Sequence, residues 1–193
     1  MTFNVSDITY PEHVPMAVRR ALNGAEVLHD ATAVERAVDR LAVRMTADLQ
    51  DDDPVIVAVL QGGLVLSGML MRRLVFPLEQ AYVHVGRYGD ASSGGELTFK
   101  GVSAPELAGR TVVLVDDILD RGRTLEYLLS WANEQGAGKV LSAVLVVKDL
   151  STPIARPEAD YVALHCPDRF LVGSGMDYAG YGRNLPGIYA VAE

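Results

Sequence analysis

Cysteine, positive charge and long apolar runs are all scarce in this sequence, and each scarcity excludes a class of protein. The single cysteine, Cys166, excludes an intramolecular disulfide and a metal site built from cysteines. The 17 Lys and Arg are outnumbered by 25 Asp and Glu, so the formal net charge of −8 disfavours general binding to nucleic acid. The apolar stretches fall far below the ~20 residues that span a bilayer, and the N-terminal residues lack the pattern of a signal peptide. We therefore expect a soluble, cytoplasmic protein that binds neither nucleic acid nor membrane.

What the sequence does contain is an ordinary globular composition. Hydrophobic residues make up 49% and charged residues 22% of the chain, values that exclude a disordered protein. At about 150 residues per domain, a length of 193 residues predicts one domain with a single substantial core.

Strand-like and helix-like segments alternate along the chain. Apolar runs typical of strands covered on both faces occupy residues 55–60, 81–85, 111–115 and 140–147. Helical spacing of apolar residues predicts helices from Thr32, over residues 64–74, and from Arg123 or Thr124 to a stop at Gly136. Thr32 and Glu35 fit a capping box, and the polar connection over residues 86–110 leaves room for a short strand at 97–100. The alternation predicts an α/β fold with a mainly parallel sheet flanked by helices.

One short segment carries the chemistry. Residues 112–125 form an apolar strand that runs into three carboxylates, Asp116, Asp117 and Asp120, followed by a glycine turn and a helix. Ligands of open α/β sheets bind beyond the carboxyl ends of strands, and a helix N-terminus offers backbone N–H groups to an anion. Gly122 lets the backbone approach closely, while carboxylates accept hydrogen bonds from sugar hydroxyls. The segment therefore predicts a pocket for a sugar phosphate.

Residues 112–125 resemble the motif with which type I phosphoribosyltransferases bind phosphoribosyl diphosphate (PRPP). Asp120 is similar to the carboxylate that the 6-oxopurine enzymes of this family place beside the purine N7. Residues 168–178 and 181–186 resemble the purine-binding segment of the hypoxanthine-guanine enzymes, and Lys148 falls where those enzymes have a base-reading lysine.

This resemblance implies a division of the single domain, residues 1–193, into three parts. Residues 55–150 would form the PRPP-binding core of the type I phosphoribosyltransferase fold, and residues 160–193 a purine-binding hood segment. The small hood is expected to come from the terminal segments, with residues 1–50 as an N-terminal extension of helices.

The resemblance also implies which residues bind PRPP and Mg²⁺. The residues assigned to PRPP are Leu60, Gln61, Gly62, Tyr88, Asp116, Asp117, Arg121, Gly122, Arg123, Thr124 and Arg183. Mg²⁺, which favours few carboxylates together with substrate phosphates, would be held by Asp116, Asp117 and Asp177. The family also implies that the peptide bond before Gln61 can be cis.

A second set of residues is assigned to the purine. Phe170 would stack on the ring, Lys148 would donate to O6, and the backbone of Leu171 would contact the base edge beside Asp177. Asp120 is the catalytic candidate, because it would handle the proton at N7 as N9 attacks.

Three residues depart from the family pattern. Gln61 stands where many members have lysine, which removes a charge from the pyrophosphate loop. Arg121 stands where threonine is usual, and Arg87 where serine is usual. None of the three removes a predicted catalytic group.

The function implied by the resemblance is purine salvage, in which 5-phosphoribosyl passes from PRPP to N9 of hypoxanthine or guanine to give IMP or GMP and pyrophosphate. Two alternatives stay open: a nucleotide-binding regulator of this fold without strong catalysis, and a xanthine-preferring enzyme. The family suggests a homodimer or homotetramer.

Overall fold

The computed structural model of this chain describes residues 8–87 and 97–191, which form two β-sheets with helices packed against them. In chain order the elements are α1 (Met16–Asn23), β1 (Glu26–His29), α2 (Ala31–Leu49), β2 (Val55–Leu60), α3 (Gly63–Met71), β3 (Glu79–Arg87), β4 (Leu97–Ser103), β5 (Thr111–Leu119), α4 (Arg123–Glu134), β6 (Lys139–Asp149), β7 (Tyr161–Pro167), β8 (Leu171–Val172) and β9 (Ile188–Ala190).

The larger sheet has six strands in the order β4-β3-β2-β5-β6-β7, and every neighbouring pair is parallel except β3 and β4. Its strands are apolar on both sides because both faces are covered. Ile56 and Val113 face α2 and α3, whereas Val57 and Leu114 face α4. The predicted mainly parallel α/β architecture is confirmed.

The smaller sheet joins the two ends of the chain in the antiparallel order β1-β9-β8. The apolar face of α1 packs against it, with Val18 and Leu22 against Val172 and Tyr189. We call α1, β1, β8 and β9 the hood. Its origin in the terminal segments agrees with the fold expected from the family.

The start of α2 differs from the prediction. Asp30 is the N-cap, and its Oδ1 accepts a hydrogen bond from the backbone N–H of Ala33 at 2.8 Å, so the capping box at Thr32 is wrong. Glu35 does not reach back to the helix start, because its carboxylate is paired with Arg73 at 2.5 Å. Because Glu35 pairs with Arg73, it cannot take part in a capping box, and Asp30 caps the helix instead.

Two strands are longer than their apolar runs. β5 continues to Leu119, so Asp116 and Asp117 lie inside the strand and not after it. The short strand predicted within the polar connection is confirmed as β4, which extends to Ser103 and pairs with β3. None of the helices in the described part of the chain has the length and apolar character needed to cross a bilayer.

Candidate active site

A cavity of about 480 Å³ opens at the carboxyl ends of β2 and β5, at the edge where parallel sheets bind ligands. It brings together eleven residues predicted from the sequence: Leu60, Gln61, Gly62, Asp116, Asp117, Asp120, Arg121, Gly122, Arg123, Thr124 and Arg183. They come from separate segments of the chain, and the sheet topology places them around one space.

The turn between β5 and α4 has the geometry of an anion site. Gly122 adopts φ 77° as the N-cap of α4, a left-handed conformation that glycine takes without steric cost. The helix begins at Arg123, so the backbone N–H groups of its first turn face the cavity. The side chains of Arg121 and Arg123 are exposed beside the turn. This arrangement suits a phosphate group.

Two neighbouring carboxylates, Asp116 and Asp117, lie under the cavity. The backbone N–H of Asp117 donates to Oδ1 of Asp116 at 2.9 Å, which orients the Asp116 side chain. Burial and the neighbouring charge of Asp117 raise the pKa of Asp116 well above its ordinary value. Burial also raises the pKa of Asp117, while the positive charge of Arg183 works in the opposite direction. A ligand that offers hydroxyl donors or positive charge would therefore relieve the pair.

Two glycines let the loops close around Asp117. A Cβ atom on Gly62 would overlap the Asp117 carboxylate, and a Cβ on Gly175 would overlap the backbone oxygen of Gly62. The loop after β8, the β2–α3 loop and β5 therefore meet in close contact around Asp117. The Leu60–Gln61 peptide bond in this loop is cis, as the family resemblance implies.

Asp120, which lines the cavity, forms an ion pair with Lys148, which is not among the lining residues. Nζ of Lys148 lies 3.5 Å from Oδ2 of Asp120 and 3.9 Å from Oδ1 of Asp168. The lysine side chain is only 13% exposed, whereas that of Asp120 is 45% exposed. A hydrogen-bond donor and an acceptor therefore stand side by side, each able to meet one edge of a flat ligand.

Arg156, which the sequence reasoning missed, ties these two residues together. Its guanidinium donates to the carbonyl oxygens of Leu119 and Asp120 at the end of β5, and to that of Lys148 in β6 at 2.8 Å. Its Cβ also lies 2.8 Å from where a Cβ on Gly122 would stand. No pattern in the sequence points to Arg156, because it lies in an irregular loop without periodicity.

The other purine-side residues, Phe170, Leu171 and Asp177, likewise do not line the described walls of the cavity. Phe170 is 55% exposed and stands edge-on to Tyr178, with 5.5 Å between ring centroids. Leu171 is buried in β8. Asp177 accepts the backbone N–H of Gly180 at 2.7 Å and pairs with Arg183 at 2.5 Å. Phe170 therefore has an exposed aromatic ring that a flat ligand could cover.

Arg183 lies between the hood and the cavity. Its Nη1 donates to the backbone oxygen of Gly175 at 2.7 Å and its Nη2 binds Asp177. Its buried Nε has no partner among the described residues. A cation with an unused donor that lines the cavity is suited to an anionic ligand.

Tyr88, which the resemblance assigns to PRPP, lies outside the described residues. Within residues 8–87 and 97–191 no three His, Cys, Asp or Glu side chains are grouped to hold a metal by themselves. A metal ion here would therefore need oxygen ligands from a substrate in addition to one or two carboxylates.

Comparison with known proteins identifies the family to which this chain belongs. Residues 24–179 match the model of the phosphoribosyl transferase domain, and the chain belongs to that family.

Similar proteins within that family indicate which group of phosphoribosyltransferases this chain resembles. The chain is 32% identical over 169 residues to hypoxanthine-guanine phosphoribosyltransferase of Streptococcus pyogenes, covering 87% of this chain and 93% of that protein. The enzyme of the same name from Bacillus subtilis is 32% identical over 164 residues, covering 84% and 91%. A solved hypoxanthine phosphoribosyltransferase from Staphylococcus aureus superposes with a TM-score of 0.80 at 28% identity, covering 88% and 93%. The fold and family predicted from the sequence are confirmed.

Proposed function

We propose that this protein is a purine-salvage glycosyltransferase that transfers 5-phosphoribosyl from PRPP to N9 of hypoxanthine or guanine, releasing pyrophosphate. The observation that carries the proposal is the Asp120–Lys148 pair, which stands directly beside the phosphate-type turn at Gly122. The named relatives support the same reaction. Both relatives are named as enzymes, so they do not support the alternative of a nucleotide-binding regulator without strong catalysis.

The PRPP half of the site would be bound largely by backbone and carboxylate groups. The turn at Arg121–Thr124 would take the 5′-phosphate through its N–H groups and two arginines. Asp116 and Asp117 would accept hydrogen bonds from the ribose hydroxyls. Leu60, Gln61, Gly62 and Arg183 would contact the diphosphate, and Tyr88 would also bind PRPP.

The purine half would be set by side chains. Phe170 would stack on the ring, Lys148 would donate to O6, and the backbone of Leu171 with Asp177 would lie at the opposite edge of the base. A lysine donor meets an acceptor on 6-oxopurines, but meets another donor on 6-aminopurines, so adenine would be rejected.

The chemical step needs no protein nucleophile. Holding N9 in line with C1′ of PRPP supplies on the order of 7–11 kcal/mol through orientation. Asp120 would accept the proton from N7 while the C1′–N9 bond forms and the bond from C1′ to the pyrophosphate oxygen breaks. Such acid–base assistance typically contributes ~10²–10⁴-fold.

The carboxylates present fit a Mg²⁺ ion bound together with substrate. Asp116 and Asp117 form a buried pair whose pKa values are raised, a state that a cation would relieve. Asp177 would contribute a third oxygen ligand to the ion if its carboxylate moved away from Arg183, with which it is paired. When bound, Mg²⁺ neutralises charge on the diphosphate and makes it a better leaving group.

Three broader expectations belong to the same proposal. Residues 55–150 would hold PRPP and residues 160–193 the purine, with residues 1–50 completing the hood of a single domain. The protein would act in the cytoplasm as a homodimer or homotetramer. Sedimentation of the purified protein measures its oligomeric state directly.

The decisive experiment supplies the protein with PRPP, Mg²⁺ and one base at a time, and follows nucleotide formation by absorbance. Product from hypoxanthine and guanine, with none from adenine, is the expected result. Product from xanthine alone would favour the xanthine-preferring alternative. Absence of product with every base, in folded protein that still binds PRPP, would contradict the enzymatic proposal.

A further inference from the structure

A β-bulge in the β3–β4 hairpin carries Lys100 to the cavity. Val85 pairs with Phe99 and His84 pairs with Gly101, so Lys100 is the extra residue between two consecutive pairs. Bulges of this kind re-aim a side chain and occur often beside active sites. Lys100 is one of the residues lining the cavity that holds Gln61, Asp116 and Arg183.

Gly86 in β3 has no side chain, and Lys100 occupies the space that a side chain would fill. A Cβ atom on Gly86 would lie 2.5 Å from Nζ of Lys100 and 3.1 Å from its Cδ. The lysine stem therefore crosses the backbone of Gly86 where any other residue would have its own side chain. Bulge and glycine act together, since the first aims the lysine and the second makes room for it.

The charge of Lys100 is available to a ligand. Within residues 8–87 and 97–191 no carboxylate lies within 4.0 Å of its Nζ, whereas Arg183 is already paired with Asp177 at 2.5 Å. Gln61, in the loop where many family members have lysine, is neutral. Arg121 and Arg123 stand at the turn suited to the 5′-phosphate. The diphosphate side of the cavity thus has one cation without a carboxylate partner among the described residues.

We propose that Lys100 binds the diphosphate of PRPP and the pyrophosphate product, and supplies the charge that Gln61 lacks. This inference rests on the proposed function, because it assigns a residue to the diphosphate subsite of that reaction. A lysine suits the task, since its ammonium is a compact charge on a long flexible stem. The assignment predicts a role in binding diphosphate and none in reading the base.

The test compares Lys100→Met with Lys139→Met. Lys139 is a matched control, because it lies at the opposite, amino-terminal end of a strand and pairs with Asp52 at 3.7 Å. Titration calorimetry with pyrophosphate and Mg²⁺, and separately with IMP, measures the two phosphate subsites. Lys100→Met is expected to raise the Kd of pyrophosphate and the KM of PRPP about 10-fold, the effect of one charge-assisted hydrogen bond. The Kd of IMP, the KM of hypoxanthine and all constants of Lys139→Met should stay unchanged.

A rescue variant tests the charge itself. Gln61→Lys placed in the Lys100→Met protein should restore pyrophosphate binding, because it returns one positive charge to the same subsite. Equal pyrophosphate affinity in wild-type and Lys100→Met protein would overturn the inference, as would a parallel loss of IMP binding. If wild-type protein made no nucleotide from PRPP, the proposed function would fail, while the pyrophosphate titration would still decide the role of Lys100.

Discussion

At the phosphate end of the candidate site the backbone supplies most of the shape, whereas at the purine end side chains supply it. The phosphate end consists of residues 60–62, 116–117 and 121–124, where glycines permit close contacts between loops. The proposed purine end consists of Asp120, Lys148 and Phe170, whose side chains are exposed or half-buried.

This difference separates two physical demands. A phosphate is bound by fixed N–H groups and charge, so its site tolerates no added volume. A purine is selected by donors and acceptors on its edge, so its site depends on the position of a few side-chain atoms. Substitutions at the phosphate end should therefore act through sterics and charge, and those at the purine end through hydrogen bonding.

The largest effect is expected at the purine end from Asp120→Asn. An amide cannot take up the proton at N7, so kcat should fall ~10²–10⁴-fold. Pyrophosphate binding and Tm should hardly change, because the side chain is 45% exposed. Steady-state kinetics with hypoxanthine provide the measurement, and Asp149→Asn is the control, since Asp149 is exposed and pairs with His165 on the surface. Unchanged turnover would remove Asp120 from the mechanism.

Gly62→Ala tests the phosphate end. The new methyl group would overlap the Asp117 carboxylate, so either that carboxylate or the loop must move. Displacement of about 1 Å in a positioning group can cost ~10²-fold in rate, and we expect a fall of that size in kcat/KM for PRPP.

Gly68→Ala is the matched control for this change. Gly68 lies in α3 with open space where a Cβ atom would stand, so alanine should leave activity intact and stabilise the helix by roughly 0.5–1 kcal/mol. Full activity in Gly62→Ala would show that the loop or the Asp117 carboxylate can move without loss of function.

The sequence predicted the phosphate end better than the purine end. The strand, the three carboxylates and Gly122 are contiguous, and local chemistry is enough to recognise a turn that binds phosphate. The pairing of Asp120 with Lys148 depends on the β5–β6 register, which brings residues of separate segments together. The part played by Arg156 could not be predicted, since its three carbonyl partners are set by the tertiary fold alone. For the same reason, the cap of α2 and the bulge at Lys100 required the structure.

Arg156→Met breaks the link between the ends of β5 and β6. Three partly buried carbonyl groups would lose their donor, at a cost of about 2 kcal/mol. For a chain of this size, that cost corresponds to a Tm lower by roughly 4–8 °C, measurable by differential scanning calorimetry. Arg40→Met, on the exposed side of α2, should leave Tm within a degree or two. A matching drop in both variants would mean that Arg156 does not hold the two strand ends.

The smallest effect is expected from Asp116→Asn, and it opposes the others because it stabilises the unliganded protein. Burial and the charge of Asp117 raise the pKa of Asp116, so the folded state binds a proton more tightly than the unfolded state does. Stability from this group is therefore present at low pH and is lost as pH rises through the raised pKa. Asparagine cannot ionise, so the variant escapes that loss.

The Tm difference between Asp116→Asn and wild type should accordingly be near zero at pH 4 and grow with pH to a plateau of a few degrees. Asp51→Asn, in the exposed turn after α2, should show no such trend. Adding PRPP with Mg²⁺ should reverse the order, because wild type gains ligand-binding free energy that the variant has lost. A Tm difference independent of pH would mean that the Asp116–Asp117 pair is not strained by its burial. The expected result would show that the phosphate end gives up stability in the empty protein in order to bind its substrate.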